Sequence, residues 1–354
     1  MLKKYLIFLL LISQFVVAQT ARKYSNEFLT IGVDAAALAM GKAVVASTND
    51  VTAQYWNSAG LANVNNYQGA LMHAEYFAGI AKYDYIGFAM PIDERSALGV
   101  SVIRFGVDDI LDTTQLIDSE GNIDYNRIQL FSAADYAFNL SYARRLNIEG
   151  LQIGFNTKII RRIIGDFANS WGFGIDAGIQ YKTPNWMFGL MLRDATTTFN
   201  SWSFNEEKFE AIKNAIPGKN QELPEENEIT IPKVQLGAAK FFNVGKNFNL
   251  LTEVDLIMRF VETNDIVSTS FISVTPALGL QLDYAEIVFL RGGLGNFQNE
   301  KQFNQTKDVT VEPSLGLGFK YRGLTIDYAL TNVGSTGNGN YSNIFSIKLD
   351  FNKF

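Results

Sequence analysis

The chain contains no cysteine and only one histidine, His73, among its 354 residues. Without thiols it can form no disulfide, cysteine zinc site, CxxC redox motif or lipid-anchored amino-terminal cysteine. One histidine excludes a multi-histidine metal site and leaves a single candidate for a histidine-dependent catalytic triad. Charged residues are also scarce, at 19%, and the formal net charge of −6 does not support a nucleic-acid-binding surface.

Long apolar runs are nearly absent as well, and the only clear one lies at the amino terminus. Lys3 and Lys4 precede the apolar residues 6–17, which lead into Ala18. A short basic region, an apolar core and a small-residue cleavage site predict a secretory signal peptide over residues 1–18. The alternative, a retained anchor, is disfavoured because the run is shorter than the roughly 20 residues of a spanning helix. The exported chain is then either soluble or a membrane β-barrel.

What the chain has in abundance is aromatic and apolar residues, with 27 Phe, 15 Tyr and 47% apolar residues overall. From about residue 67 onward, large apolar residues alternate with small, polar or charged ones, the period of a β-strand. Fourteen strands are predicted, starting near Gln68, Tyr83, Ala97, Asp135, Leu151, Gly172, Trp186, Lys233, Phe248, Val274, Ile287, Val311, Leu324 and Ile344.

The connections between these strands alternate in length. Tight turns are predicted at 92–96, 145–150, 183–185, 243–247, 285–286 and 322–323. Long loops are predicted at 106–134, 196–232, 259–273, 295–310 and 331–343, although the connections at 77–82 and 165–170 are short too. An even strand number with short turns on one side and long loops on the other is typical of outer-membrane barrels.

The predicted fold is therefore all-β, a transmembrane 14-stranded antiparallel barrel over residues 67–354. The alternative is a soluble β protein whose aromatic residues form an ordinary core. In a barrel, aromatic residues near strand ends form interfacial girdles. The girdle candidates are Trp171, Tyr181, Trp186, Tyr321 and Tyr341.

Residues 19–66 do not alternate. Residues 35–40 are rich in alanine and predict a short helix that Gly41 ends. Because a 14-stranded barrel is too wide for its own side chains to fill, this small segment is predicted to be a hatch or plug inside the lumen. The alternative is a periplasmic tail.

This segment also resembles a known family. Residues 28–46, then Asp50 and residues 55–62, read FLTIGVDAAALAMGKAVVA, D and YWNSAGLA. They are similar to the hatch motif of the PorV/PorQ family, which belongs to the FadL-like barrels. The chain departs from the family pattern at Ala36, Lys42 and Ser58, so a divergent paralogue remains an alternative to PorV itself. The matching hatch residues are Met40, Gly41, Asp50, Trp56, Asn57, Ala59, Gly60 and Leu61.

The resemblance implies a 14-stranded barrel with an amino-terminal hatch in the outer membrane of a Gram-negative, Bacteroidetes-type bacterium. It further implies a component of the type IX secretion system. Such a protein binds the carboxy-terminal signal domain of secreted cargo at a large translocon barrel and passes it to the surface attachment machinery. The alternative, from the wider FadL-like superfamily, is a transporter of hydrophobic small molecules such as fatty acids, with a lipid-like ligand in the lumen.

No motif predicts an enzyme, a cofactor or a metal site. His73 has no nucleophile elbow to accompany it and is interpreted as a lumen or interface residue. The glycines of residues 292–295 are interpreted as strand-end glycines beside a loop, because they open no helix as a nucleotide-binding loop would. Residues 108–112 lack the spacing of a calcium loop and are interpreted as an acidic surface loop.

One loop contains a predicted amphipathic helix. Asn205 supplies a cap, and Phe209, Ile212 and Ile216 share one face, as in a docking helix for a partner or a lid. The alternative is that the helix packs on its own barrel rim. Charges predicted to face the lumen, and to pair there or with the hatch, are Lys158, Asp176, Lys182, Glu253, Asp255, Lys320 and Asp327.

Overall fold

The computed structural model describes residues 25–117, 121–215, 226–301, 307–331 and 341–351. The predicted signal peptide and Ile216 lie outside these residues. The helices are α1 (Ala35–Ala39), α2 (Ala53–Trp56) and α3 (Glu206–Ala215), with 3₁₀ turns at Glu27–Thr30, Ser58–Asn63 and Tyr125–Arg127. None of the helices in the described ranges has the length and apolar character needed to span a membrane.

The described residues contain strands β1 (Gln68–Tyr76), β2 (Ala81–Pro91), β3 (Ser96–Asp112), β4 (Gln129–Arg145), β5 (Leu151–Ile164), β6 (Ala168–Lys182), β7 (Trp186–Arg193), β8 (Thr198–Phe204), β9 (Asn227–Thr230), β10 (Lys233–Asn243), β11 (Phe248–Arg259), β12 (Val267–Ser268), β13 (Ser273–Tyr284), β14 (Val288–Lys301), β15 (Lys307–Tyr321), β16 (Leu324–Thr331) and β17 (Ser342–Asp350).

Fourteen of these strands form a closed antiparallel barrel, as predicted. Each pairs with the next along the chain, β7 pairs with β10, β11 pairs with β13, and β17 closes the ring on β1 from Gln68–Asp350 to Glu75–Asn343. The tight turns follow β2, β4, β6, β10, β13 and β15, and we call that end the short-turn side. The opposite end is the long-loop side.

The two faces of the barrel wall differ in chemistry. On β15, Leu315, Leu317 and Phe319 point outward and are exposed. Ser314, on the same strand, points inward and is buried. The same alternation holds on most strands, so the large apolar residues face away from the lumen. The predicted girdle residues Trp171, Tyr181, Trp186, Tyr321 and Tyr341 all lie among the exposed large residues.

Several strands are longer than predicted, because β-bulges interrupt their alternation. One extra residue lies on β3 between Val107 and Ile110, and one on β14 between Gly295 and Gln298. A bulge moves the following side chains to the other face, so the period-two pattern stops while the pairing continues. The loops predicted at 106–134 and 295–310 therefore begin and end within paired strands, and that part of the prediction is wrong.

The loop predicted at 196–232 is also partly regular. Asp194 and Thr197 have left-handed backbone angles and separate β7 from β8. β6 pairs with β7 toward the short-turn side and with β8 toward the long-loop side, and β8 pairs with β9. β8 and β9 thus extend the hairpin of β7 and β10 beyond a break at residues 194–197. Two residues of the loop predicted at 259–273 form β12, which pairs with β13.

A charge on the outward face tests the orientation of the wall. We expect Leu317→Arg to destabilise the barrel by about 2 to 4 kcal/mol, since arginine is costly near the bilayer midplane. Tyr321→Arg, four residues closer to the short-turn side, is the control and should cost about 0 to 1 kcal/mol. Guanidinium unfolding of the purified barrels in lipid measures both. Equal costs would contradict a lipid-facing position for Leu317.

Candidate functional site

Residues 25–64, which we call the amino-terminal segment, are almost entirely buried against the barrel. They contact inward-facing groups of strands all around the ring, from β5 and β6 to β11, β15 and β17. Contacts on every side are possible only from within, so the segment lies inside the ring of strands. The contacts fall into three sets.

The first set is formed by two carboxylates of β11. Asp255 accepts hydrogen bonds from the backbone N–H groups of Val44 and Val45, both at 3.0 Å, and Glu253 accepts one from Ala46 at 2.6 Å. Both carboxylates are buried. Each bond gives a buried backbone N–H group of the segment a partner, so three consecutive residues of the segment are held on one strand.

The second set centres on Lys348 of β17. Its Nζ lies 2.9 Å from Asp34, 3.0 Å from Asp50 and 3.6 Å from Asp327. Asp327 also pairs with Arg291 at 2.7 Å. This network joins the segment at Asp34 and Asp50 to three strands, β14, β16 and β17.

Burial and these neighbours shift the acidity of both aspartates. Burial raises the pKa of Asp34, although Lys348 opposes the shift. Burial acts the same way on Asp50, but there Lys348 and the hydroxyl of Thr52, 2.6 Å away, outweigh it and hold the pKa of Asp50 below its usual range. Lys348 thus opposes the effect of burial at both aspartates and joins them to β17.

The third set is formed by side-chain amides that bond to backbone carbonyls. Asn57 donates to the carbonyl of Val45 at 2.9 Å and to that of Ile179 on β6 at 3.2 Å. Gln180 of β6 donates to the carbonyls of Val45 and Thr48. Because the helices and 3₁₀ turns of the segment are only four to six residues long, many of its backbone groups have no partner within the segment, and these bonds satisfy some of them.

Glycines on the inward face of the wall allow the segment to approach this closely. A side chain at Gly293 of β14 would collide with the backbone of Met40 and Gly41, and one at Gly237 of β10 would meet Val45 and Ala46. The glycines at 292–295 therefore lie within β14 and not at a strand end, which corrects the prediction. β14 is longer than predicted because its pairing continues past the bulge between Gly295 and Gln298.

The structure brings together the eight residues of the hatch motif. Met40 and Gly41 follow α1, and Gly41 has the left-handed φ of +64° expected of a helix stop. Trp56 donates from Nε1 to the carbonyl of Val33 at 2.9 Å. The remaining motif residues lie in the same segment, where Asp50 is half-buried and Asn57, Ala59, Gly60 and Leu61 are buried.

A buried charge cluster lies beside the break between β7 and β8. Lys158 pairs with Asp176 at 2.8 Å and with Asp194 at 2.6 Å, as the sequence predicted for Lys158 and Asp176. Arg193 stacks over the ring of Tyr55 at 4.4 Å and donates to its carbonyl at 2.8 Å. The sequence did not single out Arg193 or Asp194, because the strand pattern ends there and the charges resemble those of a surface turn.

Two cavities remain in the lumen, and charged side chains contribute to the lining of each. On the long-loop side, a cavity of about 70 Å³ is lined by charged residues that include Lys158, Asp176, Arg193 and Asp194. On the short-turn side, a cavity of about 470 Å³ is lined by Lys348, Asp50 and several other charged residues. The predicted luminal residues Lys182 and Lys320 line this second cavity.

Other predicted residues lie on the outer surface. His73 is half-exposed on the outward face of β1, so its interpretation as a lumen residue is wrong. Residues 108–112 belong to β3 and not to a surface loop, because pairing continues past the bulge. Within the described ranges, no three side chains of the metal-binding types cluster.

The predicted loop helix is present as α3. Asn205 caps it by accepting a hydrogen bond from the N–H of Lys208 at 3.2 Å, and Glu206 and Glu207 occupy its first turn. Phe209 and Ile212 lie within the helix, which is described as far as Ala215. Its predicted third apolar residue, Ile216, falls outside the described residues.

This chain is similar to one protein-family model and to several solved structures. The model of one protein family, described as type IX secretion system protein PorV, matches residues 17–204, more than half of the chain. Among curated proteins no relative matches significantly.

Solved structures with the same fold are FadL-like barrels. The monoaromatic hydrocarbon channel CymD has a TM-score of 0.56 at 13% identity, covering 91% of this chain and 98% of its own. The toluene transporter TbuX of Ralstonia pickettii has a TM-score of 0.53 at 12% identity, covering 90% and 98%. A FadL homologue of Pseudomonas aeruginosa has a TM-score of 0.50 at 13% identity, covering 90% and 98%. At these identities the likeness concerns the fold.

Removing the shared cation tests how the segment is held. We expect Lys348→Met to destabilise the protein by about 3 kcal/mol, because it leaves buried carboxylates without their partner. It should also increase amide hydrogen exchange across residues 34–62. The matched control is Lys320→Met, which removes a luminal lysine with no carboxylate within 4 Å among the described residues. Equal exchange in both variants would show that the ion pairs do not hold the segment.

Proposed function

This chain belongs to the PorV family of type IX secretion system proteins, and we propose that it binds secreted cargo at the translocon and passes it to the surface attachment machinery. It is an outer-membrane barrel of a Gram-negative bacterium, a Bacteroidetes-type one in our proposal. The part of the cargo that it recognises is the carboxy-terminal signal domain. The family match over residues 17–204 is the observation that carries the proposal.

The filled lumen supports this proposal. The amino-terminal segment is joined to the wall by buried carboxylates, Lys348 and side-chain amides. Opening a pore would require breaking several of these contacts together, at a cost of about 3 kcal/mol or more for a single buried ion pair. We therefore infer that the segment acts as a plug and that the barrel works through its outer surfaces.

The alternative is the transport of hydrophobic small molecules. Two observations favour it: the break between β7 and β8, and the fold shared with proteins named as hydrocarbon channels and toluene transporters. A transporter of that kind needs an apolar pocket below its loops. The cavity on the long-loop side of the described structure is only about 70 Å³, well below the roughly 300 Å³ of a small ligand pocket, which favours the secretion proposal. We likewise propose that the protein is not an enzyme.

The long-loop side is where cargo binding is proposed. Short turns of outer-membrane barrels face the periplasm and long loops face outward. The helix α3 stands in the loop between β8 and β9, and a polar cavity of about 530 Å³ opens nearby between Glu27, Lys233 and Glu262. Recognition residues concentrate on loops held by a rigid scaffold, which this barrel provides.

Affinity purification in mild detergent tests the function. The tagged chain should bring down a much larger membrane barrel and proteins that carry the secretion signal domain at their carboxy terminus. The same cells with an untagged chain serve as the control. Recovery of lipids or fatty acids alone would contradict the secretion proposal and support transport.

The loop helix has its own test. We expect Phe209→Asp to reduce cargo recovery about fivefold or more, which corresponds to the loss of about 1 kcal/mol at a docking residue. Glu207→Gln, on the exposed first turn of the same helix, is the matched control and should leave recovery unchanged. Equal recovery from both variants would remove the helix from the docking surface and leave the remaining loops as candidates.

A further inference from the structure

A group of charged side chains lies on the outer wall of the barrel, at the hairpin of β1 and β2 and the adjoining strand β3. His73 Nδ1 lies 2.7 Å from Asp84, and Arg104 lies 3.5 Å from Asp84 and 3.7 Å from Asp108. Each side chain is between 29% and 57% exposed. We call this group the charged patch; it consists of His73, Glu75, Lys82, Asp84, Arg104 and Asp108.

The depth of the charged patch follows from the strand geometry. A residue adds about 2.5 Å of height, given a rise of about 3.3 Å and a tilt of about 40°. His73 lies five residues above the start of β1, and Arg104 lies eight above the start of β3. These positions place His73 and Arg104 at about 13 to 20 Å within an apolar band about 25 Å tall. By the same count Asp84 lies at about 18 Å, and Asp108, twelve residues above the start of β3, lies at about 30 Å. The contacts of His73 and Arg104 with Asp84 therefore lie inside the lipid band, whereas Asp108 lies beyond its upper edge.

Apolar side chains lie both below and above the charged patch. Leu71 and Ile86 pair directly beneath it, and both are exposed. Phe77 and Ile80, in the turn that tops the hairpin, are exposed as well. A charged surface at a water interface would not carry an apolar cap on its outer side, so the patch is enclosed in an apolar surface.

Another part of the outer wall, at β15, three strands around the ring from β1, shows what lipid contact looks like in this protein. On β15 the outward residues remain apolar from Phe319 through Leu315 to Val309, and all are exposed. That run covers eleven residues, or about 25 Å of height. The wall at β1 to β3 is the exception, and a lone charge in hydrocarbon costs about 2 to 4 kcal/mol at the midplane.

The charges also tell which occupant fits. Three carboxylates stand beside one lysine and one arginine, so the charged patch does not favour an anion such as a lipid phosphate. Groups of both signs match a surface that carries groups of both signs in turn. Contacts between such half-exposed side chains stabilise the barrel itself only slightly, about 0 to 1 kcal/mol per pair.

We propose that the charged patch is the docking face for the outward wall of a second, different membrane protein that carries polar or charged side chains at the same depth. The apolar residues around the charged patch then pack against the partner, and the charged patch fixes the orientation of the two proteins relative to each other. This inference rests on the proposed function, which requires a partner within the membrane.

Single cysteines carrying a photoreactive benzophenone test the proposal, because the chain has no cysteine of its own. Ile86→Cys places the probe beside the charged patch without removing a charge, and Leu317→Cys places it on the lipid-facing wall as a matched control. Irradiated native outer membranes should give a cross-link to another membrane protein from position 86 and lipid adducts only from position 317. Lipid adducts alone at both positions, or adducts of two copies of this chain, would overturn the proposal.

Charge variants then test whether the partner contacts the charged patch. In the Ile86→Cys background, we expect the pair Asp84→Ala and Arg104→Ala to lower the cross-link yield about tenfold or more. The exchange Asp84→Arg with Arg104→Asp keeps an internal ion pair but should remain equally low. Full recovery by the exchange would show that the pair acts only within the barrel and would overturn the proposal. Heat-modifiable migration confirms that each variant has assembled.

The outcome can be separated from that of the proposed function. If the tagged chain brings down a larger membrane protein while the probe at position 86 reaches only lipid, the function stands and this docking face is wrong. If no membrane protein is recovered with the chain at all, the function itself fails.

Discussion

The backbone groups of this chain must all be paired where the wall meets hydrocarbon, because no water is present there to bind them. The closure of β17 on β1 satisfies this requirement without leaving an edge. Closure also dictates the chemistry of the two faces, since side chains of a strand alternate between lipid and lumen. The apolar exterior and the polar interior of the barrel both follow from that one constraint.

A ring of fourteen strands is too wide to be filled by its own side chains, and the amino-terminal segment occupies the space. The helices of the segment are short, so much of its backbone needs partners from the wall. The carboxylates of β11, the amide of Gln180 and the ion pairs of Lys348 supply them. Small residues such as Gly293 let the two backbones meet. The luminal polar residues are thus explained by the segment and do not require an aqueous channel.

The outer wall is not uniform, so one side of the barrel differs in chemistry from another within the plane of the membrane. β15 presents an apolar surface along its whole height, whereas the charged patch interrupts the apolar surface at β1 to β3. A barrel that works by binding other proteins needs one side adapted to them and another adapted to lipid. The plugged lumen and the divided exterior both support a role in handing proteins on.

The sequence by itself determined the fourteen strands, the side of each tight turn, the short helix before Gly41 and the capped helix α3, because these depend on local periodicity and caps. It also placed Lys158 and Asp176 among the charges that face the lumen, without saying which of them pair. Only the tertiary structure decided where the strands end, since the bulges at Val107 and Gly295 break the period while pairing continues. Only it showed that His73 faces outward beside Asp84 and that Lys348 joins Asp34 to Asp50. Periodicity separates two faces but does not say which is inside, and ion pairs between residues far apart in the chain exist only once the ring has closed.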